Sequence, residues 1–142
     1  MNIQTLPRRE EIERLQTAAA KLPQVELPTK HHFADGMYCR ELFRPKDTLI
    51  VGKVHRREHF YIVLSGEVTV VGDGKRERIK APRILLSAPG TKRAVYAHED
   101  SICITIHRTD ETDLDAIERE LVEPDESALF DAHNRLKTEF LK

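Results

Sequence analysis

Between residues 37 and 108 the chain reads as one short extended segment after another, and this stretch limits the accessible folds more than any other feature. Strands are predicted near 37–43 (MYCRELF), 48–55 (TLIVGKVH), 59–64 (HFYIVL), 67–71 (EVTVV), 75–80 (KRERIK), 83–87 (RILLS), 91–97 (TKRAVYA) and 101–107 (SICITIH). Turn formers separate them: Arg44-Pro45-Lys46-Asp47, Ser65-Gly66, Gly72-Asp73-Gly74, Ala81-Pro82, Ala88-Pro89-Gly90 and His98-Glu99-Asp100. About eight short strands at this spacing, with no helical pattern between them, predict a sandwich or barrel and argue against βαβ units.

The flanks carry a different period. In residues 1–30, Ile12, Leu15, Ala18, Ala19 and Leu22 recur at helical spacing, with Thr5 as an N-cap and Pro7 in the first turn. Pro23 and Pro28 end that helix and leave an extended connector. The His31-His32 pair reads as part of this connector, with a place at the barrel mouth as the alternative. In residues 109–142, Thr112 with Asp115 has the form of a capping box ahead of Leu114, Ile117, Leu121 and Val122. Pro124 breaks that helix, and Leu129, Phe130, Leu136, Phe140 and Leu141 mark a second amphipathic segment. The expected organisation is one structural domain: N-terminal helix and connector 1–30, barrel 31–108, C-terminal helical segment 109–142.

Composition narrows the function classes. The 142 residues carry a net charge of −1 and no Trp, so neither a basic field nor a stacking platform favours a nucleic acid or an anionic membrane. No apolar run approaches the roughly 20 residues of a membrane span, and Met1-Asn2-Ile3-Gln4 does not open like a secretory signal. A cytoplasmic protein follows, with Cys39 and Cys103 as free thiols. The strand 59–64 is apolar on both faces, so its outer face is expected to be covered by the terminal helices or by a second subunit, a homodimer being favoured.

Chemistry concentrates at His55-Arg56-Arg57-Glu58-His59. Four residues apart on one extended strand, the imidazoles would stand about 13 Å apart, too far to share an ion. If residues 56–58 form a hairpin turn, His55 and His59 face each other with Cβ atoms about 5 Å apart, within reach of one divalent metal. The alternative is a polar surface hairpin. Two ligands alone do not make a stable site.

These residues resemble the cupin superfamily. Gly52-Lys53-Val54-His55, then His59, then Val63-Leu64-Ser65-Gly66-Glu67 is similar to its first motif, His55 matching the motif's second histidine and His59 the position of its acid. Pro82, followed by Ser87-Ala88-Pro89-Gly90-Thr91-Lys92-Arg93, is similar to the second motif. The resemblance implies an all-β fold: a cupin double-stranded β-helix, or jelly-roll barrel, with an N-terminal helix and C-terminal helices. It departs at two of the four ligand positions, which hold Lys53 and Arg93.

Two readings follow. In one, a divalent metal (Zn, Fe, Mn or Ni) is held by His55, His59 and a third ligand, with His98 preferred over Tyr96, His31 and His32. In the other, Lys53, Arg93, Tyr96 and the histidines bind a small anion such as a carboxylate or phosphate. Glu58 and Tyr61 are the candidate proton carriers of a metal-dependent isomerase, lyase or oxygenase, with Glu58 otherwise a solvated turn residue. His107 is expected to face outward with Cys103, because Ile102, Ile104 and Ile106 form the apolar face of their strand. His133 reads as a surface residue. The stretch from His31 to Phe43 and the Pro89-Gly90-Thr91-Lys92-Arg93 segment resemble small cupin-like proteins of tailed phages and prophages. That likeness implies a virion, assembly or host-interaction role as a further alternative, with the virion as the alternative location.

Overall fold

The computed structural model describes residues 9–22, 24, 26–72, 74–125, 128 and 130–135. Helix α1 (Arg9–Ala19) is followed by strands β1 (Thr29–Ala34), β2 (Met37–Arg44), β3 (Leu49–Val51), β4 (His59–Ser65), β5 (Glu67–Gly72), β6 (Lys75–Lys80), β7 (Arg83–Ser87), β8 (Arg93–Ala97) and β9 (Ser101–Arg108), then helix α2 (Leu114–Leu121). The strands form two antiparallel sheets, β1-β2-β9-β4-β7 and β3-β8-β5-β6. Neighbouring strands distant in sequence pair within each sheet, so the chain crosses repeatedly between them, as in a jelly roll.

Alternation explains the packing. In β4, His59, Tyr61 and Val63 point inward and are buried, while Phe60 and Leu64 point out. Val68 and Val70 of β5, Ile79 of β6, Val95 of β8 and Cys103 of β9 complete the core with Tyr61 and Val63. The tight crossing from β4 to β5 rests on Gly66, at φ +86°. A Cβ there would lie 2.5 Å from the Asp100 carbonyl oxygen, so only glycine fits.

Several expectations are corrected. The His31-His32 segment is not connector: it lies in β1, which pairs along its length with β2. The extended run expected over 48–55 shrinks to β3, which pairs with β8 in the opposite sheet. His55 and His59 therefore do not face each other across a hairpin: residues 56–58 carry the chain from one sheet to the other, and His55 forms an isolated bridge with Val122. The N-cap of α2 is Asp113, whose side chain accepts the Ala116 N–H at 3.0 Å, not Thr112. Thr5, Pro7, Pro23, Leu129, Leu136, Phe140 and Leu141 lie outside the described residues. Among the described residues no helix is long and apolar enough to cross a membrane.

The helices close the barrel. Ile117 and Leu121 of α2 pack on Tyr38 of β2, and the chain on either side of Val122 is stitched to the 54–56 segment by Arg56 N–H to Leu121 O (2.7 Å) and Glu123 N–H to Val54 O (2.8 Å). Helix α1 lies against β3 and β8, and its buried Gln16 donates to Asp125 at 3.3 Å. Between them lies a lumen of about 430 Å³.

Candidate functional site

Three imidazoles meet at the end of this lumen. His55 comes from the segment after β3, His59 opens β4, and His107 closes β9. Their ring centroids are 4.5 Å (His55–His59), 4.9 Å (His55–His107) and 4.5 Å (His59–His107) apart. One nitrogen of each lies within 4.8 Å of one nitrogen of the other two. The pairing of Tyr38 with His107 puts Tyr38 alongside, its ring stacked on His107 at 5.9 Å.

One nitrogen of each ring is engaged by the protein. His59 Nδ1 lies 3.2 Å from the Arg57 carbonyl oxygen, which can only accept, so Nδ1 carries the proton and Nε2 keeps its lone pair. His55 is likewise hydrogen-bonded to the Lys53 backbone, and His107 Nε2 lies 2.8 Å from Thr105 Oγ1. Such outer bonds set tautomer and orientation in metal-binding imidazoles. Burial is the main cause that pushes His55 down to about 3 and His107 down to about 2; neighbouring histidines and Arg40 add to it. Burial also lowers His59, with Arg93 adding to the effect. All three rings are therefore neutral near pH 7, the form that ligates.

Neither a protein-family model nor a curated protein matches the sequence. Solved structures do match. An RmlC-like cupin from Shewanella frigidimarina superimposes with TM-score 0.53 at 18% identity over 61% of this chain and 78% of its own. KdgF from Halomonas sp. gives 0.54 at 14% identity over 62% and 84%. A predicted oxalate decarboxylase from Thermotoga maritima gives 0.53 at 16% identity over 61% and 83%. This chain has the cupin fold.

Within this fold the expected site residues divide. His55, His59, Tyr61, Lys53 and Arg93 all line the lumen. His98 does not join the imidazoles: its Nε2 lies 2.6 Å from Thr69 Oγ1 and its ring stands edge-on to Tyr96. Tyr96 donates to Asp47 Oδ1 at 2.8 Å, and its ring is not part of the lumen wall. The parity of β8 explains both, since Arg93 and Val95 face in while Tyr96 faces out; His98 follows the strand and donates its backbone N–H to Glu67 O. Lys53 is ion-paired to Glu118 of α2, so its charge is already met. Glu58 is exposed in the crossing loop. His31 reaches Tyr38 Oη at 2.6 Å and His32 reaches Glu41 at 3.2 Å.

His107 is the residue that sequence reasoning misplaced. It is buried, not outward, and Cys103 on the same parity is buried too. Ile102, Ile104 and Ile106 face away from the lumen, alongside Phe60 and Ile62 of β4. The available signal was β4 itself: with apolar side chains on both its faces, an isoleucine row on a neighbouring strand does not identify the inner one.

Proposed function

We propose that this cupin binds a divalent metal through His55, His59 and His107. The convergence of three neutral imidazoles, each with one nitrogen hydrogen-bonded to the protein, carries the reading. Among the described residues no carboxylate or thiolate joins them, so a bound ion would keep coordination positions open toward the lumen. The metal would supply Lewis acidity to a molecule held there. Tyr61, whose hydroxyl burial pushes upward, stays protonated and acts as a hydrogen-bond donor, not as a base. That arrangement suits a binding barrel or a lyase- or isomerase-type enzyme.

Metal analysis of protein purified without a His-tag and loaded with Zn, Mn, Fe or Ni tests the reading. About one ion per chain is expected; His107→Ala should lose it as fully as His55→Ala, while His98→Ala retains it. Undiminished metal in a folded His55→Ala/His107→Ala variant, or none in wild type with any of the four ions, rejects the site.

A second reading concerns the partner. The outer face of the five-stranded sheet carries Phe60, Leu64, Ile84 and Leu86, with Ile62, Ile104 and Ile106 half-buried among them. The described helices pack elsewhere, on the lumen side. A contiguous apolar face of this kind marks an interaction site more often than scattered exposed side chains do. We infer that a second copy covers it, because the same apolar face on two copies is self-complementary about a two-fold axis.

A further inference from the structure

The strongest unanswered demand in the lumen lies away from the imidazoles. Arg44, the last residue of β2, is only 6% exposed and lines the lumen. Its Nε and Nη1 are buried without a hydrogen-bond partner, and the Tyr61 hydroxyl, also 6% exposed, has beside it the thiol of Cys103, a weak partner, and no oxygen or nitrogen acceptor among the described residues. Of the charged groups acting on Tyr61, Arg44 has the largest effect and Arg93 also contributes. The Arg93 Cζ stands 5.5 Å from the Tyr61 ring centroid, with its Nη1 donating to Ser87 Oγ. Arg40, half-buried on the same face of β2, also lines the lumen and has no ion pair among the described residues.

The acids around the lumen are engaged elsewhere. Asp47 accepts from Tyr96, Glu118 takes Lys53, and Asp131 accepts the backbone N–H groups of His133 and Arg135. A guanidinium withdrawn from water without an acceptor is costly, since it loses hydration and gains nothing in return. Two buried guanidinium donors with no acceptor, beside a buried phenol met by no more than a thiol, describe the seat of an oxyanion.

We propose that Arg44 and Tyr61 bind the carboxylate of a small organic acid inside the barrel. Arg40 and Arg93 add positive field, and the organic body lies against Leu42 and Val95 in the lumen, toward the histidines. A planar carboxylate matches a guanidinium edge, and the apolar walls favour an organic body over a bare inorganic anion. The proposal rests on the lumen being a ligand pocket, as in the metal reading, but it does not require the metal.

Titrating full-length, EDTA-treated protein with benzoate, propionate and inorganic phosphate, by calorimetry and thermal shift, tests it. Saturable binding of at least one carboxylate near one per chain is expected. Arg44→Met should weaken it about ten-fold or more, since a charge-assisted pair is lost. Without anion, Arg44→Met should melt no lower than wild type, because it removes an unpaired buried charge. A structural cation would instead lower the melting point. If Arg44→Met does not fold, Tyr61→Phe replaces it in the same titration, with a several-fold loss expected. Equal carboxylate affinity in wild type and the folded variant, binding of phosphate alone, or carboxylate binding only after metal is restored would each overturn the proposal. Retained carboxylate binding in a metal-free His55→Ala/His107→Ala variant separates this outcome from failure of the metal site.

Discussion

Single residues at two places hold the closed form of the barrel. Lys92 is 4% exposed and its Nζ lies 3.0 Å from Asp125 Oδ2, which ties the segment after α2 to the start of β8. Removing the acid alone would strand a buried ammonium, so Asp125→Ala should cost about 3 kcal/mol or more in urea unfolding. Lys92→Met, which removes the charge and keeps the stem, should cost less. At Gly66 the demand is steric: a methyl group meets the Asp100 carbonyl at 2.5 Å and the backbone sits at φ +86°. Gly66→Ala should cost about 2–4 kcal/mol by the same measurement, combining backbone strain with overpacking. This glycine was legible in the Val63–Glu67 segment; the Lys92–Asp125 pair was not, because no local pattern links residues 33 positions apart.

At the scale of elements, α2 matters most. Its Ile117 and Leu121 close the lumen over Tyr38, and its Glu118 neutralises Lys53. Leu121→Ala removes a side chain only 3% exposed and should cost about 2–4 kcal/mol. The accompanying loss of closure should speed hydrogen exchange in the 54–56 segment more than in β5. Removing the Asp113 cap should cost about 1 kcal/mol. Helix periodicity revealed α2 and α1 because each is amphipathic over its own length. Strand β1 was missed because Thr29–Ala34 is short, polar and mostly exposed, and it becomes a strand only through pairing with β2. The inversion of β9 has a related cause: parity says which residues share a face, not which face looks inward.

For the whole molecule, the buried imidazoles couple stability to pH. In the metal-free protein His55 and His107 hold values near 3 and 2, against about 6.5 in the unfolded chain. Below pH 6.5 the unfolded state binds protons that the folded state refuses, so stability falls as pH drops from about 6.5 toward 3 and is flat just above. Between pH 7 and pH 5 the loss should be on the order of 2–4 kcal/mol in urea unfolding of EDTA-treated protein. A flat profile there in wild type would contradict the burial of these rings. The proposed dimer belongs to this scale too. Sedimentation should give a dimer for wild type at micromolar concentration and a monomer for Ile84→Glu/Leu86→Glu, whose variant side chains remain solvated in the monomer. A wild-type monomer, or a variant dimer, would show that the second copy does not sit on this face.

The amino-acid sequence by itself determined that this chain forms short antiparallel strands between two amphipathic helices, because turn chemistry and side-chain period are local properties read one segment at a time. It also brought forward His55, His59 and the cationic lumen residue Arg93. Tertiary structure alone decided that the third imidazole is His107 and not His98, that Lys53 is neutralised by Glu118, and that Arg44 is buried without a partner. Each of these depends on which face of a strand looks into the barrel and on what lies across from it. That choice is made when the two sheets close and α2 seats over the lumen, and nothing within one strand records it.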